Sequence, residues 1–374
     1  MRQATIEENN LPEHISENLY STFIATTEQM SGRVQSCAVI DWIIKVCRLK
    51  DNGISALIAG CIISLSTWCV AWLTNRAFCT PMSSKEALGL IVGSLLAGLA
   101  YWIIKYLHSV TLEINRDNIF NLLGTEDSIK ATQEWFKRRF SLKSQTICSL
   151  ITAVLAVVSL KVLLHRSNRA DENIGIYLSI FIGMFAISNG VYCCLKCPTL
   201  TKPISQHPVK LYPFDPASTL SLKAYISIFG KLSLGCGFVT TVFMSLMLLI
   251  RPWQDQTKLF LALTWLILGW GAVTYCFIYP LTLLSAIVRK EKHRHLKKIE
   301  DLIRDRVTQA DIEKLPKEEF EELKRLIDLR EAISKTKDIP IDTASFRSYI
   351  SSLLLPLASF LVANRSLIGK IFRS

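Results

Sequence analysis

The sequence LFLALTWLILGWGAVTYCFIYPLTLLSAIV occupies residues 259–288 and contains no Asp, Glu, Lys or Arg. It is followed at once by RKEKHRHLKK, residues 289–298, in which six of ten residues are Lys or Arg. An uncharged helix of about twenty residues is long enough to cross a hydrocarbon core of about 30 Å. The stretch therefore predicts a membrane-spanning helix, about 259–280 and extending through 288, that ends at a basic, water-exposed segment.

Apolar runs of similar length recur earlier in the chain. The 374 residues are 50% hydrophobic with a mean hydropathy of +0.31, values that soluble proteins also reach, so the clustering is more informative than the average. The runs lie at about 54–73, 87–107, 146–164, 174–195 and 232–250. They predict an all-α, polytopic membrane helical bundle with about six transmembrane helices, formed by residues 49–288.

The N-terminal region, residues 1–48, is predicted to be a polar segment followed by an interfacial helix. Its last part, residues 33–48, is apolar but is interrupted by Asp41 and Lys45, which makes it too charged and too short to span. The first fifty residues contain no short apolar run followed by a small-residue cleavage site, so we predict no secretory signal peptide. The first spanning helix is expected to act as its own insertion signal.

Residues 289–338 are predicted to form an amphipathic helical hairpin. Apolar residues recur at helical spacing in both halves, and Pro316 lies where a second helix would start. The two stripes consist of Leu296, Ile299 and Ile303, and of Phe320, Leu323, Ile327 and Ile333. Two such helices joined by a turn favour an antiparallel pair.

A short motif, Pro-x-Asp-x-Ala-Ser, occurs at residues 213–218 and again at 340–345, each time before an apolar helix. It represents either an internal repeat or a shared way to start a helix. In the first copy Asp215 is predicted to be an N-cap, with Pro216 at the first helical position. The second copy opens the C-terminal region, 339–374, whose apolar run 349–362 is short for a crossing and predicts an interfacial helix.

Basic residues alternate between successive loops. The loops 108–144 and 196–222 and the segment after residue 288 are rich in Lys and Arg, whereas the intervening loops hold two each. The positive-inside rule then predicts a multi-pass protein of the cell (plasma or inner) membrane with cytoplasmic N- and C-termini. The net charge of +12 is attributed to this topology and to anionic lipid headgroups, and no nucleic-acid partner is expected.

Lipid-headgroup contacts are predicted where aromatic and basic residues flank the apolar runs. Such a mixture also suits stacking on nucleic-acid bases, but beside a membrane helix it is more typical of the headgroup zone. The predicted contact residues are Trp135, Lys137, Arg138, Arg139, Arg289, Lys290 and Lys292.

Within the apolar runs, a few polar and small residues are candidates for helix contacts. Asn189 is expected to hydrogen-bond a neighbouring helix, or alternatively to line a polar pathway. The second run contains Gly89, Gly93 and Gly98, which would let another helix approach closely.

The sequence contains no recognisable catalytic constellation. The phosphate-loop, dinucleotide, nucleophile-elbow and His-Glu-x-x-His motifs are absent, and the six His residues lie outside the apolar runs. The eleven Cys residues imply no disulfide framework, and the Cys193, Cys194 and Cys197 cluster lacks a second paired ligand group. We therefore predict no enzyme, no cofactor and no metal.

Two functional classes remain open. The first is a channel or solute-conducting assembly, formed as a homo-oligomer and lined by Ser, Thr, Asn and backbone groups. The second is a membrane-anchored sensor or scaffold whose cytoplasmic helices bind a protein or an anionic-lipid partner. The middle of each predicted span lacks Asp and Glu, which argues against ordinary proton-coupled transport.

Overall fold

The computed structural model of the chain describes a defined set of residues. They are 21–23, 25, 35–50, 53–77, 91, 98–106, 108–110, 122–123, 125–139, 141–164, 174–249, 256–309 and 317–363. This part of the chain is helical almost throughout, and a single isolated bridge between Leu123 and Val209 is its only β-type pairing.

The labelled helices follow the chain order of the described residues. They are α1 (Gln35–Val46), α2 (Gly53–Ala77), α3 (Glu126–Arg139), α4 (Leu142–Leu164), α5 (Ile174–Lys196), α6 (Thr201–Gln206), α7 (Leu220–Leu249), α8 (Gln256–Gln309), α9 (Lys317–Ser334) and α10 (Thr343–Ala363). Short 3₁₀ turns, Cys197–Leu200 and Pro216–Ser218, precede α6 and α7, and residues 98–106 are also helical.

Four stretches within these helices are long and apolar enough to cross a membrane. They are Gly53–Ala77, Leu142–Ser159, Leu220–Val242 and Leu263–Val307. A shorter apolar stretch, Tyr177–Asn189, lies in α5, and most of the predicted span 87–107 falls outside the described residues. The structure thus shows an all-helical protein with four candidate membrane-spanning helices among the residues it describes.

Two helices are longer than the apolar runs that predicted them. Residues 232–249 of the fifth run lie within α7, which is one continuous helix from Leu220 to Leu249. The sixth run continues without interruption into the basic segment, so that α8 extends over 54 residues with Pro280 inside it. Charge ends an apolar run but not a helix, because Lys, Arg and Glu are themselves good helix formers.

The start of α7 differs from the predicted cap. Pro216 does occupy the first position of a helical turn, but Asp215 makes no side-chain capping bond. The backbone N–H and the hydroxyl of Ser218 instead donate to the main-chain carbonyl of Asp215, at 2.9 and 2.8 Å. In the second copy of the motif, the Ser345 N–H donates to the Asp342 carboxylate at 3.0 Å, which is a true N-cap.

The two loops predicted at 108–144 and 196–222 contain helices that pack together. Helix α3, the turn at Cys197–Leu200 and α6 surround the first turns of α7 and the middle of α8. Tyr225 and Phe229 of α7 are fully buried in this cluster, with ring centroids 4.9 Å apart in an edge-to-face arrangement. The other large buried residues of the cluster include Leu123, Phe136, Ile204, Phe277 and Leu284.

Helix α10 runs parallel to α7 and contacts it closely. The backbones approach where Gly230 faces Ser345, and again seven residues later where Gly237 faces Ser352. An equal step on both helices means that they run in the same direction. Near the second point, the hydroxyls of Ser233 and Ser352 lie 2.9 Å apart.

Helix α8 packs antiparallel on both α7 and α10. Gly269 of α8 lies against Thr240 of α7, and the sulfur atoms of Cys236 and Cys276 are 3.8 Å apart. The indole N–H of Trp270 donates to the Leu353 carbonyl of α10 at 3.1 Å. The three helices α7, α8 and α10 therefore form one packed unit.

Candidate functional site

The second half of α8 and the following helix form an ion-paired unit, which we call the distal helix pair (residues 289–309 with 317–334). Arg306 donates two hydrogen bonds to Glu322, at 2.5 and 2.9 Å. Arg330 donates through two nitrogens to one oxygen of Glu300, at 2.9 and 2.7 Å. Residue numbers rise along α8 as they fall along α9, so the two helices are antiparallel.

Apolar side chains between the two helices complete this contact. Ile299 of α8 and Leu323 and Ile333 of α9 are buried. The predicted stripes therefore do face each other in part. Other members of the stripes are not covered, because Phe320 and Ile327 remain 49% and 47% exposed.

One face of the distal helix pair contains a shallow, open cavity of about 340 Å³. Its lining combines apolar side chains with charged ones from both helices. The lining residues are Glu300, Ile303, Arg304, Val307, Ile327 and Arg330. The cavity is mainly apolar with ionic residues at its border, which is a common composition for a protein contact surface.

Lys292 fixes the end of the distal helix pair that lies next to the apolar part of α8. Its residue surface is 9% exposed, and its Nζ donates to the Thr336 carbonyl at 2.7 Å and to the Asp338 carboxylate at 2.9 Å. The hydrogen bond from Lys292 lowers the pKa of Asp338, and the positive charges of Arg289 and His293 act in the same direction.

This arrangement removes Lys292 from the predicted headgroup contacts. Its ammonium group is held inside the protein, because the chain returns through Asp338 and supplies a carboxylate beside it. Arg289 and Lys290, in contrast, are exposed. These two residues remain available for contact with lipid headgroups, whereas Lys292 does not.

Helix α3 carries the other predicted headgroup residues. Trp135 is half-buried against the buried Phe136, with centroids 5.1 Å apart, while Lys137 is exposed. Arg138 is also exposed and donates to Glu134 at 3.2 Å. Arg139 closes the helix, and its side chain lies outside the described part of the structure.

Asn189 lies in the contact between α4 and α5. Its Nδ2 donates to Oε1 of Gln145 at 2.8 Å, and the two residues are 1% and 0% exposed. The pair is a hydrogen bond between neighbouring apolar helices. Sequence reasoning did not identify Gln145, because a Gln close to the end of an apolar run is unremarkable on its own.

Close helix contacts involve one predicted glycine and several that the sequence analysis missed. A Cβ on Gly98 would lie 3.0 Å from the backbone N of Cys61, and one on Gly60 would lie 2.6 Å from the Gly98 carbonyl oxygen. Gly89 and Gly93 fall outside the described residues. Gly237 and Gly60 carried no signal beyond being glycines in apolar helices.

Metal ligands do not converge within the described residues: no group of three or more His, Cys, Asp or Glu side chains is placed to hold an ion. Cys197 is buried, and the side chains of Cys193 and Cys194 are outside the described set. His293 is exposed, and His295 contacts Glu291 on its own helix at 3.2 Å.

Comparisons with known proteins provide no further assignment. The chain matches no protein-family model, no curated protein and no solved structure.

Proposed function

We propose that this protein is a membrane-anchored scaffold or sensor whose distal helix pair holds a cytoplasmic protein partner. The proposal includes about six membrane crossings and a cytoplasmic N-terminus, as the apolar runs and the basic loops predict. The observation that carries it is the continuity of α8. One helix of 54 residues contains both a candidate membrane span and the ion-paired segment that projects beyond it.

A continuous helix supports this function because it leaves no flexible joint between membrane and docking arm. The ion pairs Arg306–Glu322 and Arg330–Glu300 tie α9 to α8 over most of its length. Each pair is exposed to solvent and contributes little stability, but together they fix the register of the two helices. A partner bound there is held at a defined distance from the lipid.

Anionic lipid headgroups are the second proposed partner. Arg289 and Lys290 are exposed directly after the apolar part of α8, and Lys137 is exposed on α3. Basic residues at this position are attracted to anionic lipids by about 1 kcal/mol each.

Photo-crosslinking in living cells tests the scaffold proposal. A photoreactive residue is placed at Phe320 or Ile327 of the distal helix pair and, as a control, at Leu268, an exposed residue of the apolar part of α8. We expect a discrete adduct with another protein from the first two positions and none from the control. Adducts with copies of this chain alone, or no adducts, would contradict the scaffold proposal.

Conduction by a homo-oligomer remains the second candidate. The observation in its favour is that the hydroxyls of Ser149 and Ser188, in α4 and α5, are buried without a hydrogen-bond partner among the described residues. Such groups are suited to line a polar path once subunits assemble. Purified protein in planar bilayers should then conduct ions, and Asn189→Leu should alter the conductance. Bilayers that contain the protein but show no conductance would contradict this candidate.

A further inference from the structure

Charge is divided along the distal helix pair. Residues 289–298, next to the apolar part of α8, contain six basic residues and one acidic residue. Residues 299–322, which we call the acidic tip, contain nine acidic and four basic residues. Because α9 is antiparallel to α8, the acidic ends of both helices lie together, away from the basic end.

Exposed apolar side chains lie on the acidic tip and beside it. Val307 of α8 and Ile327 of α9 line the open cavity together with Ile303. Phe320 precedes Ile327 by seven residues, which places both on the same face of α9. Glu318 and Glu319 are exposed beside Phe320. The result is an apolar stripe that leads from the cavity toward the tip, bordered by carboxylates.

We propose that this stripe is a docking surface for a basic amphipathic helix of a cytoplasmic protein. The inference rests on the proposed scaffold function and specifies the chemistry of the partner. Apolar side chains of the incoming helix would cover Phe320, Ile327 and Val307, while its Lys and Arg residues meet the carboxylates of the acidic tip. This helix-in-groove recognition combines apolar anchors with charge complementarity, which selects the partner and accelerates association.

Charge also argues against two other occupants. A second copy of the tip would bring two surfaces of the same negative sign together. An anionic membrane surface would repel the tip in the same way. The far part of the tip, at Arg306, lies about 26 Å along the helix axis from Arg289, at 1.5 Å per residue. That distance exceeds the Debye length of about 8 Å at physiological salt, so the two ends interact with their surroundings independently.

The test uses the full-length protein in nanodiscs of zwitterionic lipid. The probe is a fluorescent synthetic helix of about twenty residues built from Leu and Lys, long enough to form a stable amphipathic face. A peptide with Glu in place of Lys and empty nanodiscs are the controls. Binding is followed by fluorescence anisotropy at low and high salt.

The variants separate the stripe from its surroundings. Phe320→Ser combined with Ile327→Ser should weaken binding about tenfold, because it removes two apolar contacts. The control, Leu302→Ser, changes a residue of the same pair that is 51% exposed but does not line the cavity, and it should change binding less than twofold. Glu318→Lys with Glu319→Lys should also weaken binding and reduce its salt dependence.

The outcomes are distinguishable from those of the scaffold test. Equal binding of the Leu/Lys and Leu/Glu peptides, or equal effects of the stripe and control variants, would overturn the docking inference. Concentration-dependent self-association lost in the Phe320 variant would assign the stripe to a second copy and also overturn it. If photo-crosslinks to another protein persist while the Leu/Lys peptide fails to bind, the scaffold stands and the partner's chemistry is wrong.

Discussion

The amide pair between Asn189 and Gln145 places two polar side chains inside an apolar helix contact. Asn189→Leu removes the donor and leaves the Gln145 carbonyl oxygen buried without it. Hydrogen bonds between membrane helices contribute about 1 kcal/mol on average or less, so we predict a loss of about 1 kcal/mol in the free energy of unfolding in mixed micelles. The double variant with Gln145→Leu should lose less than the sum of both single variants. Strict additivity would contradict the pairing.

Acid should loosen the contact between Lys292 and Asp338. The folded-state pKa of Asp338 is lowered below its ordinary value of 3.8, so the contact stabilises the protein fully above that pH and less as the pH falls below it. The carboxylate is 46% exposed, which limits the effect to well under about 1 kcal/mol.

Amide hydrogen exchange measures this effect locally. The protection of amides near Thr336, whose carbonyl also accepts from Lys292, should fall below pH 3.8 in the wild-type protein when exchange rates are corrected for the intrinsic rate at each pH. In the Asp338→Asn variant these amides should exchange faster already at neutral pH. In the Asp328→Asn variant, which changes an exposed carboxylate of α9, they should not. An acid response that survives in Asp338→Asn would assign it to another group.

At the residue scale, the sequence pattern singled out Asn189 as a candidate helix contact but did not predict the contact of Lys292 with Asp338. Asn189 is conspicuous because it lies deep in an apolar run. Lys292 belongs to a run of similar basic residues, and only the return of the chain to Asp338, 46 positions later, distinguishes it. Long-range partners of this kind leave no local signal in a sequence.

Helix α10 is held against α7 through glycine, and a methyl group should disturb that contact. A Cβ at position 237 would lie 2.5 Å from the Ser352 carbonyl oxygen, and backbone cannot move aside as a side chain does. We predict that Gly237→Ala destabilises the protein by about 1–3 kcal/mol, a typical cost of overpacking. The measurement is the thermal unfolding midpoint in one detergent.

Gly271→Ala is the matched control for this substitution. Gly271 is also helical, and a Cβ there meets nothing within 4 Å. Both substitutions gain the same helix propensity, up to about 1 kcal/mol, so the difference between them reports packing alone. Equal midpoints would mean that α7 and α10 do not pack as described.

The depth of α10 in the membrane is a separate prediction. Its apolar run alone predicted an interfacial helix, but α10 extends over 21 residues from Thr343 to Ala363 and packs beside α7 at Gly237, within the candidate span Leu220–Val242. We therefore expect α10 to share the depth of α7, which adds a crossing to the six predicted runs and replaces the predicted cytoplasmic C-terminus by one on the opposite side.

Cysteine accessibility tests this placement in a variant whose native cysteines are replaced. Leu354→Cys, at a residue that is 55% exposed, should react with a lipid-soluble maleimide but not with a water-soluble one. Ile339→Cys, at a residue 45% exposed just before α10, should react with both. Equal labelling of the two positions by the water-soluble reagent would restore the interfacial placement.

At the element scale, hydropathy predicted the positions of helices better than it predicted their ends. The runs at 54–73, 146–164 and 174–195 correspond closely to α2, α4 and α5. In contrast, α7 begins well before its apolar run and α8 continues well past its own. The extension of α7 packs against α3 and α6, and that of α8 pairs with α9. Hydropathy reports where lipid contact ends, whereas helix length depends on neighbours that are distant in sequence.

At the scale of the whole molecule, basic residues are expected to set its lipid preference. Arg289→Glu with Lys290→Glu should reduce the retention of anionic lipid during purification, since each basic residue near the surface contributes about 1 kcal/mol. Lys324→Glu with Arg325→Glu, the same charge change on exposed residues of α9, is the control and should retain it. Lipid analysis by mass spectrometry gives the comparison, and equal losses would place the lipid contact elsewhere.

The uninterrupted course of α8 also has a mechanical meaning. Its last 21 residues, 289–309, project about 32 Å at 1.5 Å per residue. A tilt of about 10° at the lipid boundary would therefore displace the far end by about 5 Å, comparable to one helical turn. A small tilt of the apolar part of α8 would thus be magnified into a larger movement of the distal helix pair.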